Sequence, residues 1–349
     1  MNGTAPLDTL GMWEATAALP EHLAGARQAA DGAFAGLAAG GGVRSVAAFG
    51  LGTGGTACAA VAALTASDLT VPFWAGRGSA LPAFVDTSTL VLAVTTSGDT
   101  EETLTAAEKA IERGARVVAI GGEPGGALAR LADGAGLPWC PVVPGGGTAR
   151  AALGATTVPL LVALSRAGLR PDSAEAIDAA ATVLARRRDA LLTAGGLPAE
   201  LARRLGRTIP LIYGSAGTAA VAAHWWKAQV NLNAKAPAFA AALPDVTHDE
   251  LAGWGQGGDV TRQTMSLVLL RHADEAPRTA GQFDAVRAAT DEVMADIFEV
   301  RSEGDDDLVR FFDLTLVGSL VSLHLAAREG VDPGPVPTLD EAQAGTLTL

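Results

Sequence analysis

Between Ser45 and Ser67 the chain runs for 23 residues without a charged side chain, a length that by itself suffices to cross a bilayer. Gly50, Gly52, Gly54 and Gly55 interrupt the run. Glycines at this spacing turn it into a short apolar strand over 43–50, a tight turn, and a helix of small residues over 56–65. A strand that feeds a helix through a glycine turn must pack that helix back across its own sheet. This region is therefore a βα unit, and all-α and all-β architectures are excluded for it.

Further apolar strands are expected at 69–74, 88–95, 116–120 and 139–143, with helices at 101–113 and 127–132 between some of them. Strands alternating with helices imply a mainly parallel, doubly wound sheet. From 149 to 203 the pattern becomes helical, punctuated by Pro171, Gly195, Gly196 and Pro198. A second cycle then opens with a strand at 208–213, a turn at Gly214 and Gly217, and a helix at 218–229, echoing the first. Strands at 265–271 and 296–300 and a closing helix at 306–328 complete it. The expected organisation is α/β: a first domain over 1–150, a helical bridge over 151–205, and a second domain over 206–349 that ends in the closing helix and a Gly- and Pro-rich tail. A length of 349 residues suits two domains.

Charge limits the partners. Twenty-five Lys and Arg stand against 38 Asp and Glu, a net charge of −13, which argues against a nucleic-acid or anionic-membrane surface. An anionic ligand must then be held locally, by backbone N–H groups, hydroxyls and a few placed cations. Cys58 and Cys140 are the only cysteines; their separation fits neither a metal site nor a disulfide scaffold, and the expected compartment is the cytoplasm. The first 25 residues carry Asp8 and Glu14 and lack a basic stretch before an apolar one, so no signal peptide is expected.

Two stretches carry chemistry. Gly50-Leu51-Gly52-Thr53-Gly54-Gly55 fits G-x-G-x-x-G between a strand and a helix, and three readings stay open: a purely structural turn, a nicotinamide site, or a helix N-terminus that binds another phosphorylated ligand. The acidic residue that would grip a ribose is missing, since the next strand ends Trp74-Ala75-Gly76-Arg77 and Asp68 precedes it. The second stretch is Thr95-Thr96-Ser97-Gly98-Asp99-Thr100-Glu101-Glu102-Thr103, which places hydroxyls where a strand ends and a helix begins. It reads either as a phosphate cradle or as a capping box formed by Asp99 and Glu102.

These two stretches, together with Thr148-Ala149-Arg150-Ala151-Ala152-Leu153-Gly154, Ile212-Tyr213-Gly214 and the segment from Trp226-Lys227 to Trp254, resemble the bifunctional phosphoglucose/phosphomannose isomerases, which are double sugar-isomerase (SIS) domain proteins. The resemblance covers most of the chain in order. It implies two SIS-type doubly wound domains, each a mainly parallel sheet flanked by helices, and aldose-ketose isomerisation of glucose 6-phosphate and mannose 6-phosphate to fructose 6-phosphate. It also implies no metal or nucleotide cofactor, and a homodimer whose sites draw residues from both subunits.

Residue by residue, Thr95, Ser97 and Thr100 match the family's phosphate-binding hydroxyls, with Thr95 in place of a serine and Asp99 in place of an asparagine. In the first turn one register puts Gly54 at the family's phosphate-binding serine and the other puts Thr56 there, so Gly52, Thr53, Gly54 and Thr56 are all candidate substrate-binding residues. Arg150 matches the arginine that stabilises the enediolate, and His248 the histidine that assists ring opening. The departures are Leu232, where the family has its catalytic glutamate, and Gln343, where it has an active-site lysine. The spacing from Leu232 to His248 equals the family's separation between base and histidine. Leucine cannot accept a proton, so the expectation is a sugar-phosphate binder with isomerase activity weak or lost. The alternative is an active isomerase whose base has moved to Asp245, Asp249 or Glu250.

Overall fold

The computed structural model describes residues 7–37, 41–142 and 148–339. In chain order the helices and strands are α1 (Met12–Ala17), α2 (Leu19–Ala33), β1 (Ser45–Phe49), α3 (Gly52–Leu64), β2 (Phe73–Gly76), β3 (Thr89–Val94), α4 (Glu101–Glu112), β4 (Arg116–Ile120), α5 (Ala127–Ala135), β5 (Trp139–Cys140), α6 (Leu153–Arg166), α7 (Ala174–Leu191), α8 (Leu197–Leu205) and β6 (Ile209–Ser215). There follow α9 (Thr218–Asn233), β7 (Phe239–Leu243), α10 (Val246–Asp249), α11 (Gly258–Thr264), β8 (Met265–Arg271), α12 (Pro277–Thr290), β9 (Asp296–Arg301) and α13 (Asp307–Glu329).

The chain forms two compact units, one of residues 17–186 and 306–312, the other of 1–16, 187–305 and 313–349. Among the described residues the first holds a parallel sheet in the order β2-β1-β3-β4-β5 and the second a parallel sheet in the order β7-β6-β8-β9. Both are doubly wound, because the chain leaves β1, and again β6, toward one edge and then returns to build the other. The segment 151–205, expected as a bridge, is divided between the units: α6 packs on α2 and α3 in the first, and α8 falls in the second.

In the first unit Ala47, Phe49, Val91, Ala93 and Val117 meet Ala106, Ala107 and Ala110 of α4 in one apolar cluster. In the second, Leu211, Tyr213, Leu267 and Leu269 meet Phe283 and Val286 of α12. Every residue of β3 is buried, as expected for a central parallel strand covered on both faces. Helix α13 is long and apolar enough to cross a membrane, yet 94% of its apolar window is buried inside the protein. It carries a buried ion pair, Arg187 Nε to Asp313 Oδ1 at 2.8 Å, and burial holds the Asp313 carboxyl above its usual range despite that arginine.

Several local expectations need correction. Helix α3 starts at Gly52 rather than 56, because the glycine turn is itself the first helical turn: Gly52 has φ +53° and Gly54 lies so close to β3 that a Cβ would stand 2.9 Å from the Val94 carbonyl oxygen. The strand expected at 69–74 shrinks to β2, since the Leu69 N–H is spent on the Thr65 carbonyl and Pro72 has no N–H to give. The strand expected over 139–143 is the two-residue β5, and position 143 lies outside the described residues. Strand β7, Phe-Ala-Ala-Ala-Leu, escaped the sequence reading because alanine carries little strand propensity. The capping box does not form. Thr100 caps α4 without a side-chain bond, and the Asp99 carboxylate instead accepts the Ala127 N–H, at 3.1 Å, at the start of α5.

Candidate functional site

In a doubly wound sheet, ligands bind outside the carboxyl ends of the strands where the winding reverses. In the first unit that point lies between β1 and β3, and both sequence stretches end there. Leu51 caps α3, the Gly55 N–H makes the helix's first backbone bond back to Leu51, and no acidic residue sits in the first turn. The preceding N–H groups lack intrahelical partners and point toward the crevice end of the helix, a favourable place for an anion. Thr53 and Thr56 are both buried, and the Thr56 hydroxyl donates to the Gly52 carbonyl at 3.1 Å.

Across the crevice, Thr95 Oγ1 lies 2.7 Å from Thr100 Oγ1 and 3.3 Å from Ser97 Oγ. Thr95 is 2% exposed, while Ser97 opens to solvent. The three hydroxyls thus form one cluster anchored on a buried member, and Asp99 is turned away to α5. Arg150 stands on the 3-10 turn Ala149–Ala151, which packs against α3. His22 of α2 lies close to that turn, and burial depresses its pKa.

Sequence reasoning passed over one cation. Arg77, at the end of β2, brings its guanidinium over the first turn of α3, where a Cβ on Gly55 would lie 2.9 Å from Arg77 Nη1. Its signal was available: a cation stands where a nucleotide-binding fold would carry a carboxylate.

His248 lies in the second unit, exposed on α10, with its N–H bonded to the Asp245 carbonyl at 2.7 Å. Asp245 and Asp249 are exposed on the same turn. Glu250 is not: its Oε1 accepts the Tyr213 hydroxyl, whose pKa is driven upward by burial and then by that carboxylate. Leu232 is half-buried in the last turn of α9, and its carbonyl accepts a bond from Lys235 Nζ. Helix α9 runs antiparallel to β6 and β7, so Leu232 lies at the amino edge of this sheet and His248 at the carboxyl edge. The length of β7, five residues or about 17 Å, separates the two edges within one chain. Gln343 lies outside the described residues. Among the described residues no group of three or more His, Cys, Asp or Glu is placed to hold a metal.

Two parallel sheets, each with its crevice at the carboxyl edge, are the frame of a double SIS-domain protein, and the family comparisons agree. The SIS domain matches residues 43–135 and the bacterial phospho-glucose isomerase C-terminal SIS domain matches 197–344. The bifunctional phosphoglucose/phosphomannose isomerase of Caldicellulosiruptor bescii is 32% identical over 274 residues, 77% of this chain and 80% of that one. Its counterpart from Aquifex aeolicus is 30% identical over 271 residues, 77% and 79% of the two chains. Among solved structures, the tagatose-6-phosphate ketose/aldose isomerase of Escherichia coli superposes with a TM-score of 0.66 at 14% identity, covering 96% of this chain and 98% of that one. The chain belongs to the bifunctional phosphoglucose/phosphomannose isomerase family.

Proposed function

We propose that this protein binds a hexose 6-phosphate at the carboxyl edge of its first sheet and that its isomerase activity is weak or lost. The phosphate would be held by the first-turn N–H groups of α3 and by Thr95, Ser97 and Thr100, with Arg77 supplying a cation and Arg150 reaching the sugar. The observation that carries the reading is Leu232: the position from which the relatives' base is expected to act holds a side chain that cannot move a proton between C1 and C2. Loss of a general base typically removes about 10²–10⁴ of rate.

The placement of Leu232 and His248 at opposite edges of one sheet supports a homodimer. A site that uses both positions draws one of them from a second copy. Two unpaired buried cysteines fit a reducing cytoplasm. The second reading, an isomerase with a relocated base, rests on Asp245 and Asp249, which share the exposed turn of His248. Glu250 is the poorest substitute because Tyr213 occupies it.

The test measures fructose 6-phosphate formed from glucose 6-phosphate and mannose 6-phosphate by wild type, Leu232→Glu and Leu232→Glu/Gln343→Lys, with fructose 6-phosphate binding followed by calorimetry. Wild type should bind saturably without turnover, and the double variant should gain activity. Turnover of both sugars by wild type, lost in Asp245→Asn or Asp249→Asn, would establish the second reading instead.

A further inference from the structure

The second unit repeats the winding of the first, so it has a crevice of its own where β6 and β8 part. Gly50 and Gly214 mark equivalent positions: a Cβ on the first would stand 2.6 Å from the Gly54 carbonyl carbon, and on the second 2.2 Å from the Ala219 carbonyl oxygen, each in the first turns of the helix that follows. Gly214 pairs with Leu270, and Phe49, just before Gly50, pairs with Ala93, just before Val94. Thr95 and Thr100 of the first crevice therefore correspond to Arg271 and Ala276 of the second. The cap positions agree, since Thr100 precedes α4 and Ala276 precedes α12, each five residues on.

The repeated crevice is not a second phosphate cradle. Its equivalent of the buried hydroxyl is Arg271, which is committed to Glu275 Oε2 through Nε at 3.0 Å and Nη2 at 2.8 Å, with both side chains almost wholly buried. Glu275 Oε1 is fixed by the His272 N–H at 3.0 Å. A cavity of about 190 Å³ remains, lined by Ser215, His272, Glu275, Thr279 and Gln282 and bounded on one side by Leu243 and Pro244. Its wall carries no lysine or arginine, and its one carboxylate holds the neighbouring Arg271 in an ion pair, so the lining offers a phosphate dianion no free cation. The same wall offers the hydroxyls of Ser215 and Thr279 and the amide of Gln282, groups that hydrogen-bond hydroxyls, with an apolar edge suited to C–H groups. At about 30 Å³ per water the space equals roughly six waters, on the scale of one small polyol.

We infer that this cavity is a second ligand site, selective for an uncharged hexose or hexitol over its phosphate ester. The first crevice reads the phosphate; the second reads hydroxyls.

The test titrates the full-length protein with D-fructose and D-sorbitol by ligand-observed NMR, using wild type, Thr279→Trp to fill the cavity, Gln282→Ala to remove one amide, and Thr95→Val at the first crevice. Saturable binding is expected in wild type and in Thr95→Val. It should be abolished by Thr279→Trp and weakened up to roughly tenfold by Gln282→Ala, the loss of one hydrogen bond. Fructose 6-phosphate binding by Thr279→Trp should match wild type, which separates this site from the phosphate site. No saturable binding at about 100 mM of either polyol, far above a millimolar dissociation constant, would overturn the inference. So would polyol binding that survives in both cavity variants, or that inorganic phosphate displaces.

Discussion

Replacing Thr95 by valine keeps the side chain's shape and removes one oxygen from the centre of the hydroxyl cluster. That oxygen lies 2.7 Å from Thr100 Oγ1 and 3.3 Å from Ser97 Oγ, and the residue is 2% exposed. In the free protein the loss is one good neutral hydrogen bond, about 1 kcal/mol, partly offset by the added buried methyl. The melting temperature should then fall by less than about 4 °C. Binding should suffer more. A hydroxyl donating to a phosphate dianion makes a charge-assisted bond, about 1.5–3 kcal/mol, so affinity for fructose 6-phosphate should drop roughly 10- to 100-fold. Calorimetric titration of wild type and Thr95→Val at one ionic strength reads this directly, with thermal unfolding of both as the control. Affinities within twofold, at an unchanged melting temperature, would show that the cluster does not hold the phosphate, and the placement of the ligand at the carboxyl edge of β3 would have to be abandoned.

Gly318 sits in the middle of α13, where a Cβ would come within 2.3 Å of Trp226 Cδ1 and Nε1, and that buried indole is itself fixed by its bond to the Leu314 carbonyl at 2.6 Å. Gly318→Ala should cost about 1–3 kcal/mol through overpacking despite alanine's better helix propensity; a variant that unfolds at the same or a higher denaturant concentration refutes the close approach. His324 packs edge-on to Trp13 at 4.7 Å, and burial lowers its pKa from 6.5. The folded state therefore disfavours the protonated ring, and this contribution to stability is present above 6.5 and is lost as pH falls through 6.5 toward the folded value. Wild type should lose more stability than His324→Gln between about pH 7.5 and 5.5, and equal losses in urea titrations would contradict the assignment.

Much of the fold was legible from local pattern. The strands at 116–120 and 265–271 and the start of the helix at 218 were read to the residue, because a parallel strand buried on both faces is a run of apolar side chains and a glycine turn announces the helix after it. The duplication was legible for the same reason. Glycine conformations were not: nothing local says that Gly52 enters the helix with a positive φ while Gly54 is pressed against Val94.

At the candidate site, side-chain chemistry came from the sequence and side-chain direction came from packing. The hydroxyls of Thr95, Ser97 and Thr100 lie within six residues, so a strand-to-helix turn brings them together whatever surrounds it. Asp99 had two local roles open to it and took a third, a bond to Ala127 that exists only because α5 packs beside α4. Arg77 over α3, Tyr213 on Glu250, and the buried pairing of Arg271 with Glu275 likewise depend on which elements meet. The sequence alone settled that position 232 cannot exchange a proton, since that follows from the identity of one side chain. Only the tertiary structure decided that positions 232 and 248 sit at opposite edges of a sheet, because α9 must run back along β6 before a parallel β7 can begin.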